Sequence, residues 1–193
     1  LYARIGRTFS PVSGLEVKKD DVKDVVAAIE AQKEGSKIYI LTAFPEHRNR
    51  DRKEELSILL QKGFTRIYQS PLSVSQEEAP VSASATYRIE DLLANADDFE
   101  AAFTHPHNVY VLIDRVVGKA FDEDDRHRLS DSVSTAFYEG EGDVYIEVDG
   151  KRLLHYNNRF EADGIQFEEP QPNLFSFNNP LGACPTCEGF SMV

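Results

Sequence analysis

Apolar residues recur along this chain with two periods, and the switches between them mark out its elements. Val22, Val25, Val26 and Ile29 fall at i, i+3, i+4 and i+7, which predicts an amphipathic helix between Asp20 and Gly35. Asp20 or Asp21 can cap its start, where carboxylates suit the helix dipole, and Gly35 stands where a left-handed stop is wanted. From Lys37 to Phe44 the period falls to two, with Ile38 and Ile40 on one side and Tyr39 and Leu41 on the other, so a strand buried on both faces is expected. A second helix is predicted from Arg52 to Lys62, with Leu56, Leu59 and Leu60 inward, Asp51 as N-cap, Glu54 three residues on and Gly63 as the stop. A short strand follows at Thr65 to Gln69. Asn108 to Val117 alternates over a β-branched run and should be the central strand. Asp122 to Glu139 predicts a third helix with an acidic first turn and an apolar stripe of Leu129, Val133, Ala136 and Phe137, ended by Gly140. Val144 to Val148 and Arg152 to Tyr156 flank Asp149-Gly150, a hairpin signal that would set Glu147 across from Arg152.

Elsewhere periodicity fails. Ser70 to Ala85 is rich in Pro and Ser and reads as a mobile loop, and from Asn157 onward prolines punctuate an aromatic-rich tail. Strands alternating with helices, followed by a hairpin, predict an α/β (α+β) fold. The expectation is a mixed sheet with flanking helices over residues 17–156, inserted on a short irregular stem made of residues 1–16 and 157–193.

Charge narrows the possible partners. The 193 residues carry 21 Lys+Arg against 33 Asp+Glu, a formal net charge of −12, which excludes a basic nucleic-acid grip over the whole surface. No apolar run reaches the roughly 18 residues that a membrane span needs, and Leu1 to Arg4 lack the apolar core of a signal peptide. A cytoplasmic protein with no membrane partner is expected. A first residue of Leu and an end just after a Cys/Gly motif suggest a piece of a longer chain.

Three features could carry chemistry. Cys184 and Cys187 form a C-P-x-C-x-G turn, the knuckle geometry of zinc ribbons, but zinc takes four ligands and the sequence has no second pair. An incomplete, empty metal site is the expectation; a redox pair fits less well, because Gly189 follows at once where a helix would normally open. His47, Arg48, Arg50, Arg52 and Lys53 form the only basic cluster, which is either a solvated helix entry or a patch that steers an acidic partner. Arg66 and Arg115 fall within strands, where packing does not require a guanidinium. Each could pair with a neighbouring acid, Arg115 with Asp114 for example, or could anchor a partner. No G-x-x-x-x-G-K-[ST] phosphate loop occurs, so no enzymatic ATP turnover is expected of this piece.

The run Phe175-Ser176-Phe177-Asn178-Asn179-Pro180 through Gly182-Ala183-Cys184-Pro185-Thr186-Cys187-Glu188-Gly189 resembles the zinc-module stretch of the UvrA family of bacterial nucleotide excision repair. Leu1-Tyr2-Ala3-Arg4-Ile5-Gly6, Gly63-Phe64-Thr65-Arg66 and Val111-Leu112-Ile113-Asp114-Arg115 resemble further family motifs in the same order, so the likeness covers essentially the whole chain. It implies that residues 17–156 are a UvrB-binding domain, with Arg66 and Arg115 as anchors facing UvrB and Arg48 and Arg50 steering it. It also implies contact with damaged DNA through the longer parent, a homodimer that uses ATP and zinc, while the isolated fragment is monomeric and holds no cofactor. A direct DNA-binding module is the alternative. Departures from the family pattern are Phe160 and Asp163 where an earlier C-x-x-C would fall, Ser191 for a glycine, and Asp51 in the basic loop.

Overall fold

The structure is a computed structural model that describes residues 6–14, 16–72, 84–103, 108–162 and 164–172. Most of the Pro/Ser-rich stretch, and both cysteines, lie outside the described residues. The chain divides into two compact units, residues 20–158 and the two chain ends, 1–19 with 159–193. In the unit made of the ends, β1 (Thr8–Phe9) pairs antiparallel with β2 (Glu16–Val17), and β9 (Glu161–Ala162) pairs with β10 (Ile165–Gln166). Lys19 Nζ lies 2.6 Å from Glu169 Oε1 in the same unit.

The larger unit is built on a six-stranded sheet. Its strands are β3 (Lys37–Ala43), β4 (Arg66–Gln69), β5 (Ala85–Arg88), β6 (Val109–Val117), β7 (Asp143–Val148) and β8 (Arg152–Asn157), in the spatial order β5-β4-β6-β3-β7-β8. Every neighbouring pair is antiparallel. The α+β class therefore stands, but the sheet is antiparallel throughout and not mixed. Helical crossovers do join parallel strands, β3 to β4 and β6 to β7, as alternating elements lead one to expect. Each such pair, however, is split by an antiparallel strand inserted between its members. β6 is central, as its β-branched run suggests.

Helices α1 (Val22–Glu30), α2 (Arg52–Gln61), α3 (Ile89–Ala94), α4 (Ala96–Ala102) and α5 (Glu123–Glu139) supply the apolar cover for one face of this sheet. Val25 and Ile29 of α1, with Leu129 and Val133 of α5, bury Ile38, Ile40, Val144 and Ile146. Leu56 and Leu59 of α2, with Ile89 and Leu92 of α3, bury Ile67, Val109 and Val111. The apolar stripes foreseen in α1, α2 and α5 thus become the core, at about 25 cal/mol per Å² of apolar surface removed from water. Capping follows the acids: Asp21 and Asp24 close one capping box, and Asp122 and Asp125 close another.

Three local expectations are corrected. Helix α1 ends at Glu30 with Ala31 as its C-cap, and Gly35, with φ of +84°, turns the chain only afterwards, where its N–H reaches Gly118 O at 2.8 Å. Asp51 caps α2 through Arg52 N at 2.8 Å, and it is Glu55, not Glu54, that reaches back to the preceding loop. The β7–β8 turn does use positive φ at Asp149 (+55°) and Gly150 (+67°), but Lys151 is also left out of the ladder, so Val148 pairs with Arg152 and Glu147 with Leu153. One added residue moves every cross-strand pair by one place and puts a different side chain opposite Glu147.

Candidate partner-binding site

The face of the sheet away from the helices has its own chemistry. Leu41, Tyr68, Tyr110 and Leu112 are buried there, with Tyr39, Tyr145 and Leu153 packed against them. Among them lies Glu147, a fully buried carboxylate. It accepts hydrogen bonds from Tyr68 Oη, from Ser70 Oγ at 2.6 Å and from Ser84 Oγ at 3.3 Å. Hydroxyl donors surround this buried side chain, which has no ion-pair partner among the described residues; Tyr68 belongs to β4, and Ser70 and Ser84 stand at the two ends of the segment that joins β4 to β5. Burial, then the bond to Glu147, holds the Tyr68 phenol far above its ordinary range, and burial beside Tyr145 and Glu147 pushes Tyr110 up to about 12. Nothing in the alternating pattern of β7 distinguishes Glu147 from an outward-facing acid, and sequence reasoning missed it.

Further along the same face the surface opens. Arg115 is exposed and pairs in register with Tyr39, while its neighbours Asp114 and Val116 turn toward the helices. The carboxylate of Asp114 is already engaged, by Arg128 Nη2 at 2.8 and 2.9 Å, by Ser132 Oγ at 2.9 Å and by the Arg115 backbone N–H at 2.8 Å. The Arg115 guanidinium therefore does not pair with its neighbour. Arg66 is exposed too and shares the face of Tyr68, since the intervening Ile67 is buried among helix residues. Neither Arg66 nor Arg115 has an ion-pair partner among the described residues. Ile67 pairs with Val111, which places Arg115 a few residues farther along β6 than Arg66, roughly 10 Å at the usual rise of a strand.

Arg48 and Arg50 lie elsewhere, in the loop beyond Ala43 that leads into α2. Pro45, Glu46, His47, Arg48 and Arg50 of this loop line a cleft of about 310 Å³ together with Arg52 and Glu55 of α2. Glu55, buried, accepts from His47 Nδ1 at 2.7 Å and from Arg50 Nη1 at 3.3 Å. Arg52 and Lys53 stand 5.2 Å from the ring centres of Phe103 and Phe99, which fixes the start of α2 on α4. Arg48 remains exposed, without an ion-pair partner among the described residues. The four arginines singled out in sequence thus fall into two groups, Arg66 with Arg115 on the open sheet face and Arg48 with Arg50 in the α2 entry loop. No group of three or more metal-ligating side chains occurs among the described residues, and Cys184 and Cys187 fall outside them.

The larger unit is thus an α+β domain, a helix-backed antiparallel sheet whose other face carries exposed arginines with no ion-pair partner among the described residues. The chain belongs to the UvrA interaction domain family, whose model matches residues 21–150. It is 32% identical over 195 residues to UvrABC system protein A of Bacillus subtilis and 34% identical over 191 residues to that of Oceanobacillus iheyensis. The Rickettsia bellii protein of the same name is 29% identical over 202 residues. These alignments cover 98 to 100% of the chain but only 18 to 19% of the relatives, so the chain spans just under a fifth of their length.

Proposed function

We propose that residues 17–156 bind UvrB in bacterial nucleotide excision repair, so that a longer cytoplasmic UvrA protein can hand UvrB to damaged DNA. The observation that carries this reading is the pair of exposed guanidiniums, Arg66 and Arg115, that share one sheet face and find no carboxylate among the described residues. A planar fork of this kind clamps a carboxylate bidentately. Arg48 and Arg50 act at longer range, raising the rate of encounter with an acidic surface. ATP hydrolysis, dimerisation and DNA contact belong to the rest of the parent, and the piece itself is a monomeric binding module that holds no zinc at Cys184 and Cys187.

Direct DNA binding is the competing reading, and a net charge of −12 weighs against it. Titration of the chain with purified UvrB and, separately, with duplex DNA at low salt tests the two. Saturable binding to UvrB that weakens as salt rises supports the proposal. Binding to DNA with no binding to UvrB reverses it.

A further inference from the structure

The register of the sheet brings a third arginine to the face that carries Arg66 and Arg115. Arg88 ends β5 directly opposite Arg66 of β4. Opposed residues in an antiparallel ladder share a face, and the adjacent pair Ile67 and Tyr87 packs among the helix residues, so Arg66 and Arg88 both point the other way. Like charges directly opposite one another weaken strand pairing. A positive charge on β5 alone could be read as protection of an edge strand. That reading does not explain Arg66, which belongs to an interior strand. Arg88 Nη2 lies 3.2 Å from Glu90, but both side chains are more than 60% exposed, so this ion pair is weak and easily exchanged.

A chain with twelve surplus negative charges therefore gathers three exposed arginines on one sheet face, two of them in mutual repulsion. We propose that Arg88 is a third anchor, and that this face takes an acidic segment of a protein partner. One carboxylate of that segment bridges Arg66 and Arg88, and a second reaches Arg115 roughly 10 Å along. The inference rests on the partner-binding reading above and adds to it a residue and the chemistry of the bound segment. Bringing a carboxylate between the two guanidiniums turns their repulsion into attraction, so the cross-strand pair is worth more in the complex than in the free domain. A phosphate backbone would bring a long row of negative charges against an acidic domain, whereas this segment needs only the two carboxylates that the arginines neutralise.

The test uses Arg66→Gln, Arg88→Gln, the double variant and Arg115→Gln in the full 193-residue chain, with association and dissociation kinetics against purified UvrB and a thermal melt of each protein. Arg88→Gln is expected to leave the melting temperature unchanged or raise it, while speeding UvrB dissociation at least fivefold. The double variant should lose less than the product of the two single losses, because both guanidiniums hold one carboxylate. If Arg66→Gln and Arg115→Gln weaken binding and Arg88→Gln does not, the third anchor is refuted and the partner-binding reading stands. If none of the three changes binding, that reading falls as well. Competition by duplex DNA that disappears in Arg88→Gln would show phosphate to be the occupant and overturn the acidic segment.

Discussion

Replacing Glu147 by Ala removes the acceptor that ties Tyr68, Ser70 and Ser84 to the sheet. Tyr68 and Ser70 are buried, and a buried hydroxyl left without a partner costs about 1 to 3 kcal/mol, so the two together put about 4 kcal/mol at stake. Part of this is offset because the carboxylate itself is no longer held out of water, a penalty of several kcal/mol that the hydroxyls had compensated. A net loss of about 2 kcal/mol is expected, or a fall of roughly 4 to 8 °C in melting temperature for a chain of this size. Urea unfolding of the chain reads the loss directly, with the slope unchanged if the native state stays compact. The decisive comparison is a cycle with Tyr68→Phe. In the native background this change should cost about 1 kcal/mol or more, because Glu147 loses its closest donor, and in the Glu147→Ala background it should cost almost nothing or stabilise. Equal costs in both backgrounds would mean that the hydroxyls and the carboxylate are not coupled, and would refute the assignment of Glu147 as the fastening point of this face.

Other consequences are as direct. Gly140 has an ordinary φ of −89°, but a Cβ there would press into Asp143 O and Thr42 Oγ1, so Gly140→Ala should destabilise by about 1 to 3 kcal/mol in the same urea assay. Tyr110 is raised to about 12 in the folded state from its ordinary 10, so the unfolded chain releases this proton first. The Tyr110 contribution to stability should then be complete below about pH 10 and fall by about 3 kcal/mol as pH rises from 10 to 12, with Tyr68 adding a further loss over the same window and the share of both in the tyrosinate absorbance appearing only on unfolding. With only Cys184 and Cys187 as thiols, elemental analysis of the purified chain should find zinc well below one per molecule, and chelator should leave its melting temperature unchanged.

What the sequence made legible was whatever repeats. Val22 to Ile29 and Leu129 to Phe137 each cover two or more turns of one face, and Val109 to Ile113 alternates over a β-branched run, so α1, α5 and β6 could be placed from pattern alone. Periodicity says nothing about the segment from Thr86 to Ala102, because α3 has six residues and α4 seven, too few for a period to declare itself. A signal was present nonetheless. Asn95 accepts from Asp97 N and caps α4, and acids fill both first turns, Glu90 and Asp91 in α3 and Asp97 and Asp98 in α4. The antiparallel sheet was hidden for another reason: alternation of strands and helices specifies which strands run parallel, not which strand is inserted between them. At the site, Arg66 and Arg115 could be picked out because a guanidinium in a strand is unexpected, whereas Arg88 and Glu147 depend on registers set by distant turns. The extra Lys151 in the β7–β8 turn is enough to change the residue opposite Glu147.

The central claim is that unpaired strand arginines form the partner surface, and one paired measurement bears on it most directly. Arg66→Ala and Arg115→Ala are each assayed for UvrB dissociation and for thermal stability. Because neither guanidinium holds a carboxylate among the described residues, each change should leave the melting temperature nearly as it was. If the guanidiniums clamp partner carboxylates, each should weaken UvrB binding by about 2 kcal/mol or more, mostly through faster dissociation. Arg48→Ala and Arg50→Ala should instead slow association and flatten its dependence on salt. Melting temperatures that fall while UvrB dissociation stays unchanged would contradict the account, making Arg66 and Arg115 structural and moving the interface elsewhere on the domain.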